Sequence, residues 1–555
     1  MTGASSSGQL ANAADVFGRW LLVGTLAVPL LFLAACLSRR LRSEALALQW
    51  LAPVPALGAA ILAIGGSPFA VEAPVLRMSL RLDLPGALLL ATASILWIVV
   101  SAAAFASPRS KANQRFAVSW LLTLTGSVGV FVAADLLTFY LVYALVSIPA
   151  YELIVRDDAP ASKRAGGVYL VFTILGEALL LMAFALLAVG EPNGSLRIED
   201  VVRALPASPW RDGALALIVT GFGMKMALAP LNGWMPLTYT AAPIPAAGVL
   251  SGAAVKAGVI GLIRFLPFAV PMPGWGGALA VIGFFSAFYG VAIGVTQQNP
   301  KTVLAYSSIS QMGVIAAALG VSLAVGEASA PSEVAFYAAT HVLVKGALFL
   351  TVGVAAAADI RRGWGRLALA AALALSLAGL PFTGGALAKL AVKAQFGYGV
   401  AASLANASAV ATALLMLHFL TRLGRTSARD GQVTASAAVV RFWPAIALGA
   451  VFLPWLLYPA IGDLAEAVTF GKIWDGLWPI IIGAALAVAL WRWGSSLPRI
   501  PEGDTVVAGE AAFNASFALT AFFESVDARL RQWAVGSFAL LAIALVLAAM
   551  AAYGG

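Results

Sequence analysis

The feature that most constrains the fold is a series of long apolar stretches separated by short polar or Gly/Pro-rich turns. The stretches recur from about residue 17 to about residue 552, and most reach the roughly 20 residues that a helix needs to cross a ~30 Å hydrocarbon core. Hydrophobic residues make up 61% of the 555 residues and charged residues only 11%. The sequence therefore predicts an all-α integral membrane protein with about sixteen transmembrane helices and no sizeable soluble domain.

Composition also excludes several classes of function. The lone Cys36 excludes an internal disulfide and any multi-cysteine metal or iron–sulfur site, so we expect neither metal nor cofactor in this chain. The net charge of +9 is spread over short loops and forms no basic domain, which argues against binding to nucleic acid. Residues 1–16 contain no Lys or Arg, so we expect no cleavable signal peptide.

The distribution of Lys and Arg over alternate loops predicts the orientation. Basic residues concentrate in one set of loops, while acidic residues dilute them in the other set, and the basic set faces the cytoplasm. The prediction is a multi-pass protein of the bacterial cytoplasmic (inner) membrane with both termini periplasmic. Residues 494–532 are more polar and indicate either a cytoplasmic amphipathic helix lying on the membrane or on a partner, or a plain connector between two spans.

Basic side chains occur within the predicted spans, where they are costly and usually functional. Lys225 lies in the seventh span, five residues before Pro230, and a helix broken by proline is tolerated in a membrane where its backbone lines a cavity. Lys256 lies in the eighth span among Gly and Ala, which favour close helix packing. Both lysines are therefore candidates for groups that line a hydrated pocket in the interior. The alternative for Lys225 is a side chain that extends from a helix end toward the membrane surface.

The eleventh span carries His341 and Lys345 four residues apart, which places both on one helical face. A histidine titrates near neutral pH and a desolvated lysine can release its proton, so the two can pass protons along. A hydrogen-bonded core histidine is the alternative for His341.

A second break is predicted in the twelfth span, where Pro381 precedes Lys389. A break with a lysine in span seven and again five spans later is what two inverted repeats would produce. Carboxylates within or beside the spans are few: Glu177 in span six is the deepest, Glu152 lies near the end of span five, and Asp135 lies at its start.

Several segments in the central half of the chain resemble the antiporter-like subunits of respiratory complex I, Mrp-type cation/proton antiporters and group 4 membrane-bound hydrogenases. The segments are GMKMALAPLNGWMP, APIPAAGVLSGAAVKAGVIGLIRF, QNPKTVLAYSSISQMG, HVLVKGALFLTVG and LPFTGGALAKL, in the order expected for that family. LGEALLL in span six is most similar to the large subunit of hydrogenase-4 and formate hydrogenlyase complexes.

This resemblance implies a fourteen-helix core with inverted five-helix repeats and a polar axis at mid-membrane. The division would be helices 1–3 in residues 1–115, repeat one in 116–267, repeat two in 275–422, and helices 14–16 with the amphipathic connector in 423–555. By motif match, Lys225 would be the central lysine of repeat one, Lys256 the bridging lysine, His341 the histidine of repeat two and Lys389 the exit-side lysine.

The sequence departs from the family at helix five, where relatives carry a glutamate that pairs with the lysine on helix seven. Here YALVSIPAY places Ala144 at the glutamate position. Glu152 is eight residues farther on, about 12 Å along the helix and about 80° around it, so it is a poor substitute. Glu177 is our preferred replacement partner for Lys225.

The leading interpretation is a proton-translocating subunit of a redox-driven complex that resembles complex I or a membrane-bound hydrogenase. The chain would carry protons or small cations, while other membrane subunits and peripheral redox subunits would do the electron chemistry. One alternative is a subunit of an Mrp-type cation/proton antiporter. Another is a structural membrane subunit whose proton path has degenerated, although four retained buried basic residues argue against it.

Overall fold

The structure is a computed structural model that describes residues 3–511, except 67, 74–77, 107–113, 156–158, 358–363, 426–436, 495–496 and 499. Its first part contains α1 (Gly3–Leu37), α2 (Arg42–Leu48), α3 (Val54–Gly65), strands β1 (Phe69–Ala73) and β2 (Met78–Leu82), α4 (Leu84–Ala104) and α5 (Gln114–Gly129). A 3₁₀ turn at Gln49–Leu51 separates α2 from α3.

The central part follows as α6 (Leu136–Ser147), α7 (Ala150–Ile154), α8 (Pro160–Gly190), α9 (Ile198–Ala204), α10 (Arg211–Met226), α11 (Trp234–Ala241), α12 (Ile244–Val249) and α13 (Lys256–Phe265). It continues with α14 (Pro273–Gly294), α15 (Pro300–Val325), α16 (Ala330–Ala357), α17 (Trp364–Ala378), α18 (Gly384–Phe396) and α19 (Val400–Leu423). The last part contains α20 (Ala437–Leu457), α21 (Leu464–Ala467) and α22 (Phe470–Trp493).

The helical membrane fold is confirmed, but the count of sixteen spans is not. Within the described residues, 12 helices are long and apolar enough to cross a membrane. Four predicted spans account for the difference. Spans seven and twelve are built from short helices separated by breaks, and span four is the 16-residue helix α5. The predicted sixteenth span at 533–552 lies outside the described residues, as does most of the predicted amphipathic connector.

A short β-hairpin departs from the all-helical expectation. Strands β1 and β2 pair antiparallel, with Phe69 opposite Leu82 and Ala73 opposite Met78. The hairpin is tied to the loop before α6, because Ser79 donates its backbone N–H to a carboxylate oxygen of Asp135 at 2.7 Å. Arg81 also pairs with Glu199 at 2.5 Å. The hairpin therefore joins the loops at one end of the helix bundle.

Two helices are interrupted where proline and positive-φ residues make a continuous helix impossible. Between α10 and α11, Ala227 adopts a left-handed conformation with φ 56°, and Pro230 follows it. Between α17 and α18, Gly379 has φ 97° and Phe382 has φ 63°, with Pro381 between them. The breaks predicted in spans seven and twelve are therefore present, and each leaves helix ends inside the bundle.

Helices α14 and α15 pack with their backbones in contact. On α14, Gly276, Gly283 and Gly290 recur every seven residues, and an added Cβ at Gly276 or Gly283 would lie 2.3 or 2.4 Å from a backbone nitrogen of α15. Gly313 and Gly320 on α15 face α14 in the same way. Small residues at these positions permit the close approach that is common in membrane bundles.

Residues 503–555 form a second compact unit, of which 503–511 are described; residues 504–511 are helical.

Candidate functional site

The first part of the candidate site surrounds Lys225 in the last turn of α10. Its side chain is buried, and its ammonium group donates a 2.7 Å hydrogen bond to the hydroxyl of Ser147 at the end of α6. The same nitrogen lies 5.5 Å from the ring centroid of Tyr143 and 5.9 Å from that of Tyr169, within the range of cation–π attraction. The lysine is therefore held in the interior by one hydroxyl and two aromatic faces.

Glu177 on α8 belongs to the same cluster. Its carboxyl group interacts with the Ser147 hydroxyl and electrostatically with Lys225. The glutamate is only 7% exposed, and its Oε1 has no hydrogen-bond partner among the described residues. The helices that carry the two charges approach closely because Gly176 on α8 lies against Gly221 on α10. The structure thus places Glu177 and Lys225 beside the same Ser147 hydroxyl, and among the described residues no ion pair is recorded between the two side chains.

Lys256 and His341 form the second part of the site. The ammonium nitrogen of Lys256 lies 2.7 Å from Nδ1 of His341 and 3.3 Å from the backbone oxygen of Ser251. Both side chains are almost completely buried. A single π-helical turn at Leu250–Ala254 precedes Lys256, and such turns are frequent at functional sites. In this hydrogen bond one nitrogen donates and the other accepts, so a proton can be exchanged between the two side chains.

Lys345 lies one turn beyond His341 on α16, as predicted, and is fully buried. Its ammonium group donates to the backbone oxygen of Leu304 on α15 at 2.9 Å. The hydroxyl of Ser308 also donates to this oxygen, at 3.0 Å, and lies 3.1 Å from that of Ser251. Polar groups of α15 therefore connect Lys345 with the turn that precedes Lys256.

The third part of the site surrounds Lys389 in α18. Its ammonium group donates to the backbone oxygen of Ala378, the last residue of α17, at 2.6 Å. A cavity of about 130 Å³ lies beside it and is also lined by Tyr337 and by Lys393 and Asp475, which form an ion pair at 2.5 Å. The side chains of that ion pair are about half exposed. Lys389 thus lies between the helix break and a more exposed ion pair.

Tyr337 links the second and third parts. It lies one turn before His341 on α16 and reaches the Lys389 cavity. Its hydroxyl donates to Oε1 of Gln311 at 2.6 Å, and the amide of Gln311 donates to Thr412 at 3.1 Å. Tyr337, His341 and Lys345 therefore mark three successive turns of one helical face.

Two predicted carboxylates lie elsewhere. Asp135 caps the N-terminus of α6, where its carboxylate accepts bonds from the backbone and hydroxyl of Thr138 at 2.8 and 2.6 Å. It also accepts the bond from Ser79 in the hairpin. Glu152 lies on the short helix α7, and no hydrogen bond or ion pair with a buried lysine is recorded for it among the described residues. Of the three candidates, only Glu177 is brought to Lys225.

Sequence reasoning missed several polar residues of the site, among them Ser147, Tyr169 and Tyr337. Tyr337 could have been found, since it continues the four-residue spacing of His341 and Lys345 toward the N-terminus of the span. Ser147 lies three residues after Ala144, so it faces the interior near the position where the resemblance led us to expect glutamate. Among the described residues, no group of three or more His, Cys, Asp or Glu could hold a metal ion.

The family model described as "NADH:quinone oxidoreductase/Mrp antiporter, TM" matches residues 133–416, just over half of the chain. The chain belongs to this family. The matched range contains all the basic residues of the three clusters, and the family match confirms the resemblance inferred from the sequence motifs.

Among curated proteins, hydrogenase-4 component B of Escherichia coli is similar to this chain, with 28% identity over 50% of the chain and 43% of that protein. NADH-quinone oxidoreductase subunit N of Desulforudis audaxviator is 33% identical over 44% of this chain and 49% of the relative. The chain thus spans less than half the length of these two relatives. Subunit N of Deinococcus radiodurans is 30% identical over 64% of this chain and 76% of its own length.

Solved structures of multi-subunit membrane complexes have the same fold. The Mrp complex from Dietzia sp. DQ12-45-1b superposes with a TM-score of 0.72 at 21% identity, covering 97% of this chain and 63% of that one. The membrane-bound sulfane sulfur reductase, an archaeal respiratory membrane complex, gives a TM-score of 0.66 at 19% identity, covering 96% and 100%. The relatives and neighbours are subunits of larger membrane assemblies, which confirms an antiporter-like subunit fold for this multi-pass chain.

Proposed function

We propose that this chain is a proton-translocating membrane subunit of a larger redox-driven complex in a bacterial cytoplasmic membrane. The observation that carries the proposal is a file of four buried basic residues, Lys225, Lys256, His341 and Lys345, together with the partly buried Lys389. This file occupies helix breaks, a π turn and a polar cavity inside the bundle. Buried basic residues are costly in a membrane and are retained where they carry ions. Other membrane subunits would complete the assembly, and peripheral subunits would hold the redox groups.

The cluster of Glu177, Ser147 and Lys225 supports a switchable first step. The lysine holds its proton more tightly while the glutamate beside it is charged, because the two charges attract each other in a medium that screens them weakly. Protonation of Glu177, or its movement away from Ser147, would weaken this attraction and favour release of the proton from Lys225. The residues thus provide the carboxylate–lysine pair that Ala144 removes from the usual position.

The packing of α10 against α13 favours the next transfer. An added Cβ at Gly258 would lie 3.2 Å from Cβ of Lys225, so the lysine lies beside the helix that begins with Lys256. From Lys256 the proton would pass to His341 across their 2.7 Å hydrogen bond and on to Lys345 one turn away. Tyr337 and Gln311 would lead toward Lys389, where the cavity reaches the Lys393–Asp475 ion pair.

The same proposal includes the two inverted repeats, 116–267 and 275–422, and the uptake of protons from the cytoplasm near Lys225. The repeats are supported by the two helix breaks, each of which has a lysine beside it: the buried Lys225 and the partly buried Lys389. The cytoplasmic side is supported by the bias of Lys and Arg in alternate loops.

The test is a matched pair of substitutions in the complex purified through this subunit and reconstituted into vesicles that carry a pH-sensitive dye. Glu177→Gln keeps the size of the side chain and removes its charge, so we expect redox-driven proton uptake to fall strongly. Glu152→Gln, on the neighbouring short helix, should pump like the wild type.

If Glu177→Gln takes up protons at the wild-type rate, Glu177 is not the functional partner of Lys225. Proton movement that requires an opposing Na⁺ gradient and no electron donor would favour a cation/proton antiporter instead. Redox turnover without any proton movement by the wild type would leave only the structural alternative.

A further inference from the structure

A cavity of about 330 Å³ lies where three membrane-spanning helices end. It is lined by residues that follow α14 and by residues in or beside the last turns of α19 and α22. The distribution of Lys and Arg over the loops assigns the ends of all three helices to the cytoplasmic side. The cavity therefore lies on that predicted side, at the depth where the apolar spans give way to lipid headgroups.

One wall of the cavity is basic. Arg422 and Arg425 line it, and His418 lies one turn before Arg422 on the same helix. The two guanidinium groups repel each other electrostatically, and both act on His418. Of the described residues that line the cavity, none is an aspartate or a glutamate. The wall thus has a positive potential that favours an anion.

The basic wall is held in place by hydrogen bonds between separate segments. Nε2 of His418 lies 2.9 Å from the backbone oxygen of Gln297, in the loop after α14. The side-chain amide of Gln297 donates to the backbone oxygen of Ile500 at 3.1 Å. The second bond holds the polar segment that follows α22, from which Leu497 and Pro498 also line the cavity. The loop, α19 and the polar segment therefore form one connected rim.

The wall on the membrane side is apolar. Leu417 on α19 faces the cavity together with Leu490 and Trp491 on α22. Trp491 is 72% exposed, and tryptophan is enriched where a membrane helix meets the water interface. A free inorganic anion gains nothing from such a wall. A phospholipid, in contrast, carries its phosphate directly beside the apolar part of the molecule.

We propose that this cavity binds the phosphate group of an anionic phospholipid from the cytoplasmic leaflet. Guanidinium groups bind phosphate oxygens through paired, charge-assisted hydrogen bonds, and a basic pocket between membrane helices suits an anionic headgroup. The phosphate would contact Arg422 and Arg425, while the first part of an acyl chain would lie along Leu490 and Trp491. One water molecule needs only about 10–15 Å³, so the volume is sufficient for a phosphate with its glycerol. The inference does not depend on proton translocation.

The alternative is that the two arginines serve only the C-terminal end of α19. The last carbonyl groups of a helix carry a partial negative charge, which basic side chains in the last turn stabilise. In that case substitution of the arginines would destabilise the protein equally in every lipid. A binding role predicts instead that the substitutions weaken the response to anionic lipid specifically.

The experiment uses the protein purified with its associated subunits and stripped of lipid in a neutral detergent. The thermal midpoint is followed during titration with phosphatidylglycerol, phosphatidylcholine or inorganic phosphate, since a ligand of the folded state raises it in proportion to its affinity. Native mass spectrometry counts the phosphatidylglycerol molecules that remain bound. Arg366→Gln, which changes an exposed arginine on the same predicted side of the membrane, is the matched control.

We expect phosphatidylglycerol to stabilise the wild type more than phosphatidylcholine does. Arg425→Gln should weaken this binding about fivefold and the double variant Arg422→Gln/Arg425→Gln about thirtyfold, which corresponds to about 1 kcal/mol for each arginine. The double variant should also retain one phosphatidylglycerol fewer than the wild type, and Arg366→Gln should retain the same number. Because Arg425 is exposed, its single substitution tests the idea even if the double variant does not assemble.

Four results overturn the inference. Equal retention of phosphatidylglycerol by the wild type and Arg425→Gln, with equal affinity, would show that the arginine does not bind lipid. Equal stabilisation by phosphatidylcholine would exclude recognition of the charge, and equal stabilisation by inorganic phosphate would exclude a lipid as the occupant. Loss of an associated subunit from Arg425→Gln, without any change in bound lipid, would assign the cavity to a protein partner.

Discussion

Substitution of Gly258 by alanine tests whether the close approach of α10 and α13 sets the spacing of Lys225 and Lys256. A Cβ at this position would lie 2.7 Å from Cγ of Met226, 2.9 Å from the backbone oxygen of Phe222 and 3.2 Å from Cβ of Lys225. Met226 can move its side chain, but the carbonyl of Phe222 belongs to the helix itself. The backbones must therefore separate by about 0.5 Å to reach an ordinary contact distance in a close-packed interior.

The expected cost follows from two opposing effects. Overpacking a tight interface costs about 1–3 kcal/mol. Replacing glycine by alanine within a helix stabilises the folded state by up to about 1 kcal/mol, because alanine has the higher helix propensity. We therefore expect Gly258→Ala to reduce the free energy of unfolding by roughly 0–2 kcal/mol, a change that most complexes survive. The effect on transfer should be about tenfold, because a displacement of about 1 Å can cost about a hundredfold when reacting groups must meet and the separation here is about half of that.

The matched control is Gly277→Ala in α14, where an added Cβ meets nothing within 4 Å. This variant should be as stable as the wild type or slightly more stable, and it should pump normally. Thermal unfolding of the purified complex and dye-monitored pumping in vesicles measure the two effects. If Gly258→Ala pumps at the wild-type rate, the spacing of the two lysines does not limit transfer and the reasoning fails.

Two further outcomes are expected. Burial raises the pKa of Asp83, but the charge and hydrogen bonds of Arg264 and the backbone bond from Gly86 outweigh it, so the folded chain holds the pKa below the ordinary value of 3.8. The ion pair therefore stabilises the fold above about pH 4 and loses its effect as pH falls through the lowered pKa. Asp83→Asn, which can still cap α4, should be less stable at neutral pH, with a difference from the wild type that narrows in acid; thermal unfolding between about pH 3 and pH 7 measures it. Tyr337→Phe should slow pumping by up to about tenfold, since an ordinary hydrogen bond contributes about 1 kcal/mol, and an unchanged rate in vesicles would remove Tyr337 from the path.

Much of the fold was predictable because long apolar stretches and prolines act locally. The breaks at Pro230 and Pro381 follow from the missing N–H of proline and the lack of water in a bilayer. The hairpin was harder to predict: its strands are five residues long each, and it is fixed by distant contacts such as the bond from Ser79 to Asp135.

The buried basic residues were predictable for a similar reason, since a lysine in an apolar span is conspicuous. Their uncharged hydrogen-bond partners could not be predicted, because serine and tyrosine occur in membrane helices in many roles. The 2.6 Å hydrogen bond from Thr302 on α15 to Glu502 in the polar segment after α22 could not be predicted from the sequence, since a partly polar connector gives no local indication of where it contacts the bundle. Such contacts depend on how separate segments pack against each other, and the residue pattern within one segment does not predict them.

The glycine contacts between α14 and α15 affect how a displacement of one helix is transmitted to the other. With backbone against backbone at successive levels, no flexible side chain lies between the two helices to absorb a displacement. The outer face of α14 carries Val281 and Phe285, both more than half exposed, while α15 presents the backbone oxygen of Leu304 to Lys345 and the amide of Gln311 to Tyr337. A neighbouring subunit or lipid that displaces α14 would therefore displace α15, and with it the groups that bind Lys345 and Tyr337.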